Sequence, residues 1–389
     1  MLLQKSAEGR TRIANTQSST SNSERDILCR LIRNRCVRQC SLFGAHEQER
    51  TNRRADAIGS RLLQAQNHTH YVAGSVVETN IHYPTDSGLL SDGARVLTRT
   101  MKQIAGKAGG LKRKIRDRRR SVQKRVMALA QALRHKGIEG EQKRRREYGE
   151  LLRLTRQILN DSQRVLVEIE AMPARRRRVV QGLGERLETM AGQVRRVVRQ
   201  TKARVIEGIT QFPDKLLSLF ETHTEVIRKG KAAKPNEFGN VVELQEAENQ
   251  IITHYQVFEK RCSDQRLLLP AIQAHQRKLG RVPGWIAADA GFYSHANEEK
   301  AKALGVKYLS IPNRNTRSEQ RRRWEKQRWF KRAQAWRTGC EGRISVIKRR
   351  HGLNRCRYHG IQGMRRWVGL GVIADNLINI GRYLAPKTA

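Results

Sequence analysis

The stretch GWIAADAGFYSHANEEKAKALGVKYLSI, residues 284–311, decides the fold class. Its opening apolar run, roughly 284–289, reads as a strand that ends in Asp289. Residues 296–304 read as a helix and Val306–Ile311 as a second strand. Upstream, at RKGKAAKPNEFGNVVELQEAENQIITHYQVF (228–258), the apolar period becomes that of two strands joined by a turn near Asn249. A helix over roughly 264–278 connects them to the first run. Before them, residues 94–228 have helical spacing, as in Leu151, Leu152, Leu154, Ile158, Leu159, Val165, Leu166 and Ile169. An extended apolar stretch around Val76–Val77 precedes these helices. It leads through a turn at 84–88 to a helix that starts after Asp92–Gly93. The order predicts an α/β fold: a mixed sheet flanked by helices, interrupted by a long basic α-helical insertion. In such sheets ligands gather at the carboxyl ends of strands, which is where Asp289 falls.

The chain has 389 residues, 78 Lys and Arg against 36 Asp and Glu, and a formal net charge of +42. That excess predicts salt-sensitive attraction to a polyanion, nucleic acid first. No segment approaches the roughly 18–20 apolar residues of a spanning helix, so no membrane partner is expected. The opening MLLQKSAEGRTRIANTQSSTSNSERD lacks the apolar centre of a signal peptide. Six cysteines without a paired framework fit a reducing compartment, and the expected location is the cytoplasm, at the nucleoid. Cys36 and Cys40 with His46 could form half of a zinc site, but no second ligand pair follows at the usual spacing. Residues 1–70 read as a disordered or atypical basic region, and 71–98 as the first part of a catalytic domain. Residues 99–228 form the basic helical insertion, and 229–389 the remainder of the catalytic domain.

The run WRTGCEGRISVIKRRHGL, residues 336–353, holds Arg337, Glu341 and Lys348. On a helix, at about 100° per residue, these three fall within a stripe roughly 40° wide. One acid flanked by two cations suits a site for a metal ion beside a phosphate. Glu341 as a partner of Arg337 alone is the plainer reading, a pair worth only ~0.3–0.5 kcal/mol. That reading leaves Lys348 on the same stripe unexplained. Asp289 as a metal ligand is weighed likewise against a helix N-cap. Cleavage of a phosphodiester by two metals needs carboxylates that hold both ions, and three acids usually share the task.

Residues 76–90 (VVETNIHYPTDSGLL), 228–239, 288–315 and 337–380 together resemble bacterial insertion-sequence transposases of the DDE type. The resemblance implies a ribonuclease-H-like catalytic domain over roughly residues 74–385. The family's Tyr-x2-Arg-x3-Glu-x6-Lys signature maps onto Arg337, Glu341 and Lys348, with Gln334 at the tyrosine position. The family's second aspartate maps onto Asp289, followed by Ala290, Gly291 and Phe292. The resemblance thus implies that Asp289 and Glu341 are catalytic and ligate Mg²⁺ (or Mn²⁺), and that Arg337 and Lys348 support them. It implies double-stranded DNA as partner, both the element's terminal inverted repeats and a target, held by a homodimer. Metal-dependent cleavage would expose a 3′-hydroxyl that attacks the target. Lys229, Lys231, Arg314, Arg349 and Arg350 are the candidate DNA contacts, and Asn313 and Asn315 stand beside Arg314.

The family's first aspartate, three residues before its Val-Val-Glu-Thr run, falls here on Ala73. Glu78, Asp86 and, less directly, Asp92 are the candidate replacements. Together with the unusual residues 1–72, Ala73 points to an altered start, by frameshift or recombination. Two readings follow: an active transposase, or an inactive DNA-binding remnant of one. A general RNA-binding or ribosome-associated protein is the third, and the alternating strands and the placement of the acids argue against it.

Overall fold

The computed structural model describes residues 69–135, 137–228 and 235–384. The expectations for Cys36, Cys40, His46, Lys229 and Lys231, and for residues 1–68, lie outside the described residues.

Strand β1, Thr69–Glu78, is the middle of a mixed sheet. One edge pairs antiparallel with β3, Asn236–Glu246, with Tyr71 opposite Glu246. The other pairs parallel with β5, Trp285–Ala288, where Val72 lies beside Ala288. Beyond β5 comes β6, Tyr308–Ser310, also parallel. The far edge of β3 is shared by β2, Glu225–Arg228, and β4, Ile252–Val257, both antiparallel. Asn249 and Gln250 take positive φ (58° and 63°) in the short connection between β3 and β4. A mixed sheet of this order, flanked by helices, is that of a ribonuclease-H-like α/β fold.

Successive side chains of β1 point to opposite faces, so each face builds its own core. Val72, with Ile286 and Ala288, packs against α5 (Leu268–Leu279), α6 (His295–Ala303) and Phe292. On the opposite face Val77, Val242 and Leu244 meet Ile347, Met364 and Val368. These last belong to α8 (Arg328–Arg350) and α9 (Gly360–Leu384), which follow the short α7, Glu319–Glu325. The apolar tail of the sequence therefore folds back as α9 onto the sheet.

Between β1 and β2 lies a helical bundle: α1 (Asp86–Lys107), α2 (Arg119–Ala132), α3 (Ile138–Glu170) and α4 (Ala174–Val205). Leu90, Leu97, Met101 and Ile104 of α1 recur at three- and four-residue spacing and meet Leu151 and Ile158 of α3 and Leu187 and Val194 of α4. Gly93 lets α1 and α4 approach: a Cβ there would lie 2.6 Å from Val194 Cγ2.

The turn expected at 84–88 is instead the beginning of α1. Thr85 is its N-cap, and its Oγ1 accepts from the Gly88 N–H at 3.1 Å. Asp86 then sits in the first turn, where a negative side chain complements the exposed N–H groups. It is buried and accepts from Arg204 Nη1 at 3.1 Å, which ties the start of α1 to the end of α4. Residues 86–98 thus pack with the bundle from the first helical turn.

Candidate functional site

The site gathers where β1, β5 and α8 meet. Asp289 immediately follows the last residue of β5, so one further step in the register sets it beside Ala73. Its carboxylate caps a short turn, with Oδ1 accepting from the Ala290 N–H at 2.7 Å. Arg314 Nη2 approaches the same oxygen at 3.7 Å. Asp289 is 52% exposed and Glu341 49%, so both carboxylates can reach a ligand.

Helix α8 is continuous from Arg328 to Arg350, so Arg337, Glu341 and Lys348 share one stripe. Arg337 pairs with Glu341, four residues on, and its Nε donates to Gln334 Oε1 at 2.9 Å. Gln334 in turn fastens the helix to the sheet: its Nε2 donates to the Ser310 carbonyl at 2.8 Å and to Ser310 Oγ at 2.9 Å. The residue that replaces the expected tyrosine is thus the clamp between α8 and the end of β6. Its role could be found only from the pairing of α8 with that strand end.

Tyr71 connects the three parts. It lies on the same face of β1 as Ala73, in one cluster with Cys340, Trp336 and Ile344. Burial raises its pKa, and so does the negative charge of Glu341, with Cys340 and Asp289 adding while Arg337 opposes. For Arg337, burial works against the charge, yet Glu341, Tyr71 and Asp289 outweigh it and hold the guanidinium firmly protonated. Asp289, Arg337 and Glu341 are therefore electrostatic neighbours around Tyr71. Two features of this centre have no mark in the sequence. Arg343 pairs with the buried Glu246, which burial holds above the usual carboxylate range although Arg343 opposes this. Burial, then the nearby Asp289, raise Asp264, with Arg261 opposing, and a Cβ on Gly291 would lie 2.7 Å from Asp264 Oδ2.

The other candidates are spread out. Glu78 is five residues beyond Ala73, about 17 Å along an extended strand, at the Arg355 end of β1 with Arg355 Nη2 at 3.8 Å. Asp86 faces Arg204 in the bundle, and Asp92 pairs with Arg95 at 2.8 Å. Arg314 is exposed on a loop that Arg321 braces, donating to the Ile311 carbonyl at 2.7 Å and to Glu325 Oε1 at 2.8 Å. The Asn313 N–H donates to that same Glu325 oxygen at 2.8 Å. Arg349 and Arg350 are exposed at the end of α8. Trp336 packs near Tyr71, Trp285 and Trp329 pack on Tyr308, Trp324 packs on Trp329, and Trp367 packs on Tyr358.

Residues 299–381 match the family described as a transposase DDE domain. The match takes in Arg314, Gln334, Arg337, Glu341 and Lys348, and Asp289 precedes it by ten positions. A DDE-transposase-type domain is thus present over part of the chain. No curated protein and no solved structure matches. No helix among the described residues is long and apolar enough to cross a membrane.

The donor set of the transposase DDE domain can be tested against a two-metal centre. Such a centre takes oxygen ligands on both ions, largely from carboxylates. Here Asp289 has Arg314 beside it and Glu341 is held by Arg337. The β1 position next to Asp289 is Ala73, 6% exposed and packed on Cys340. Among the described residues no group of three or more His, Cys, Asp or Glu is placed to hold a metal ion. Among the described residues, Asp289 and Glu341 are two of the carboxylates such a site would take, and Ala73 supplies none.

Proposed function

We infer that the chain is a transposase-type DNA-binding protein that holds a DNA end at the carboxyl edge of its sheet and does not cut it unaided. The observation that carries this reading is Ala73, set by strand register beside Asp289 and packed on Cys340, with no carboxylate to offer. Arg337, Lys348 and Arg314 form the phosphate-facing part of the site, and Arg349 and Arg350 extend it along the end of α8. Guanidinium groups suit this task because their forked donors match phosphate oxygens. Asp289 and Glu341 are what remains of a centre for Mg²⁺ or Mn²⁺. The cleavage and strand transfer that the resemblance implies would need a third acid on β1. Two copies of the chain would bring the two ends of an element together.

The test uses the full chain and duplex DNA that carries the sequence flanking its own gene. The expected result is a retarded DNA complex, weakened by Arg337→Ala, with no nicking in Mg²⁺ or Mn²⁺. Metal-dependent nicking that disappears in Asp289→Ala and Glu341→Ala would overturn the reading in favour of an active transposase. RNA that displaces the DNA at fixed salt would favour a general RNA-binding protein instead.

A further inference from the structure

The helical bundle carries a basic hollow that the site above does not use. Arg95, Arg99 and Lys102 of α1 lie at spacings of four and three residues, on one helical face over about 10 Å. Arg95 and Arg99, with Arg186 of α4 and the exposed Phe220, line a cavity of about 230 Å³, and Lys102 lies on the wall of the next one. A second hollow of about 480 Å³ adjoins it through Arg95 and Arg99 and reaches Arg119 at the start of α2. Two acids offset part of this charge. Asp92 pairs with Arg95, and Asp117 bridges Lys102 at 2.6 Å and Arg119 at 2.7 Å. Arg99 and Arg186 are exposed, and neither forms an ion pair with any described residue.

Small-molecule pockets are mostly apolar, with a few polar groups that orient the ligand. Here every charged side chain on the walls is a cation, and these cations run on in a track from α4 across α1 to α2. A track of cations suits a linear polyanion better than a single anion. Single-stranded nucleic acid is held by stacking its bases on successive aromatic rings. Phe220 is the one aromatic side chain on these walls, so the surface is built for backbone phosphates and not for bases. A duplex presents about one negative charge per 1.7 Å of axis, dense enough to meet every cation of the track.

We propose that this hollow is a second, sequence-independent DNA site, which grips the backbone of duplex DNA through Arg99 and Arg186. The proposal shares with the function above the premise that the partner is DNA. It adds that the insertion, and not only the sheet edge, binds it.

The experiment measures binding of the full chain to a short DNA duplex of arbitrary sequence by fluorescence anisotropy over a salt series. Arg99→Ala with Arg186→Ala removes two phosphate contacts. The slope of log K against log salt should become shallower by about 2, and affinity should fall about tenfold at moderate salt. Both side chains are exposed and form no ion pair with any described residue, so helicity by circular dichroism should be unchanged. A control, Lys307→Ala with Lys331→Ala, removes the same charge from exposed positions of the α/β part and should leave the slope as it was. An unchanged slope in the bundle variant, or an equal change in the control, would overturn the proposal. So would a slope change seen with duplex RNA but not with DNA. Failure of the unaltered chain to bind any DNA would instead remove the shared premise.

Discussion

Substituting Ala73→Asp tests the reading of the candidate site most directly. Neighbouring strands lie about 4.8 Å apart, so a carboxylate at 73 would stand within about 5 Å of that of Asp289. It would lie on the face shared by Tyr71 and Cys340, one helical residue from Glu341. Without metal, the added charge is buried among like charges. Ala73 is 6% exposed, so a penalty of about 1–3 kcal/mol is expected. For a chain of this size that is a fall in Tm of roughly 1–4 °C. A metal that binds the completed trio then stabilises the fold, by about 2.7 kcal/mol at one hundred times its Kd, which offsets most of the loss. Differential scanning fluorimetry with and without Mn²⁺, and the Mn²⁺ paramagnetic resonance signal, read both effects. The variant should show a Mn²⁺-dependent rise in Tm that the unaltered chain lacks, and Ala73→Asp with Glu341→Gln should abolish it. An equal rise in the unaltered chain, or none in the variant, would refute the placement of Ala73 as the missing third of the site.

Three further outcomes follow from the geometry. Gln334→Ala unfastens α8 from Ser310 and should cost about 1–2 kcal/mol in urea denaturation, with a larger loss of DNA affinity than a surface substitution such as Lys331→Ala. Burial, opposed only by a hydrogen bond from Gln245, raises the pKa of Glu243 to about 7. A carboxyl raised in the folded state contributes stability below its unfolded pKa and loses it as pH rises through the folded value. Stability should therefore decline between about pH 4.5 and 7, by up to about 3 kcal/mol, and Glu243→Gln should flatten that decline in denaturation curves taken across the range. Gly93→Ala should destabilise by about 1–3 kcal/mol because the new Cβ meets the stiff Val194 side chain. Gly182→Ala, with open space around it in α4, should stabilise by up to about 1 kcal/mol, and thermal melts of the two variants check the contrast.

Most of the sheet was legible because its signals are local. The runs around Trp285–Ala288 and Tyr308–Ser310, the period change before β4 and the apolar tail of α9 each follow from the residues themselves. The start of α1 was misread because Thr85 and Asp86 suit a turn and a helix cap equally well. The choice fell to Arg204, 118 residues away, which holds Asp86 inside the bundle.

The sequence by itself determined the helical spacing of Arg337, Glu341 and Lys348, the position of Asp289 at a strand end, and the absence of an acid at Ala73. These depend only on residue identity and on the fixed periods of helix and strand. Only the tertiary structure decided what each of them meets. Strand register set Ala73 beside Asp289, and α8 brought Glu341 to Tyr71 with Gln334 as its clamp. The same packing carried Asp86 away into the bundle and left Glu78 far along β1. It also drew Arg95, Arg99, Lys102, Arg119 and Arg186 from three helices onto two adjoining hollows. Contacts between residues distant in sequence depend on how the faces stack, and no local pattern encodes them.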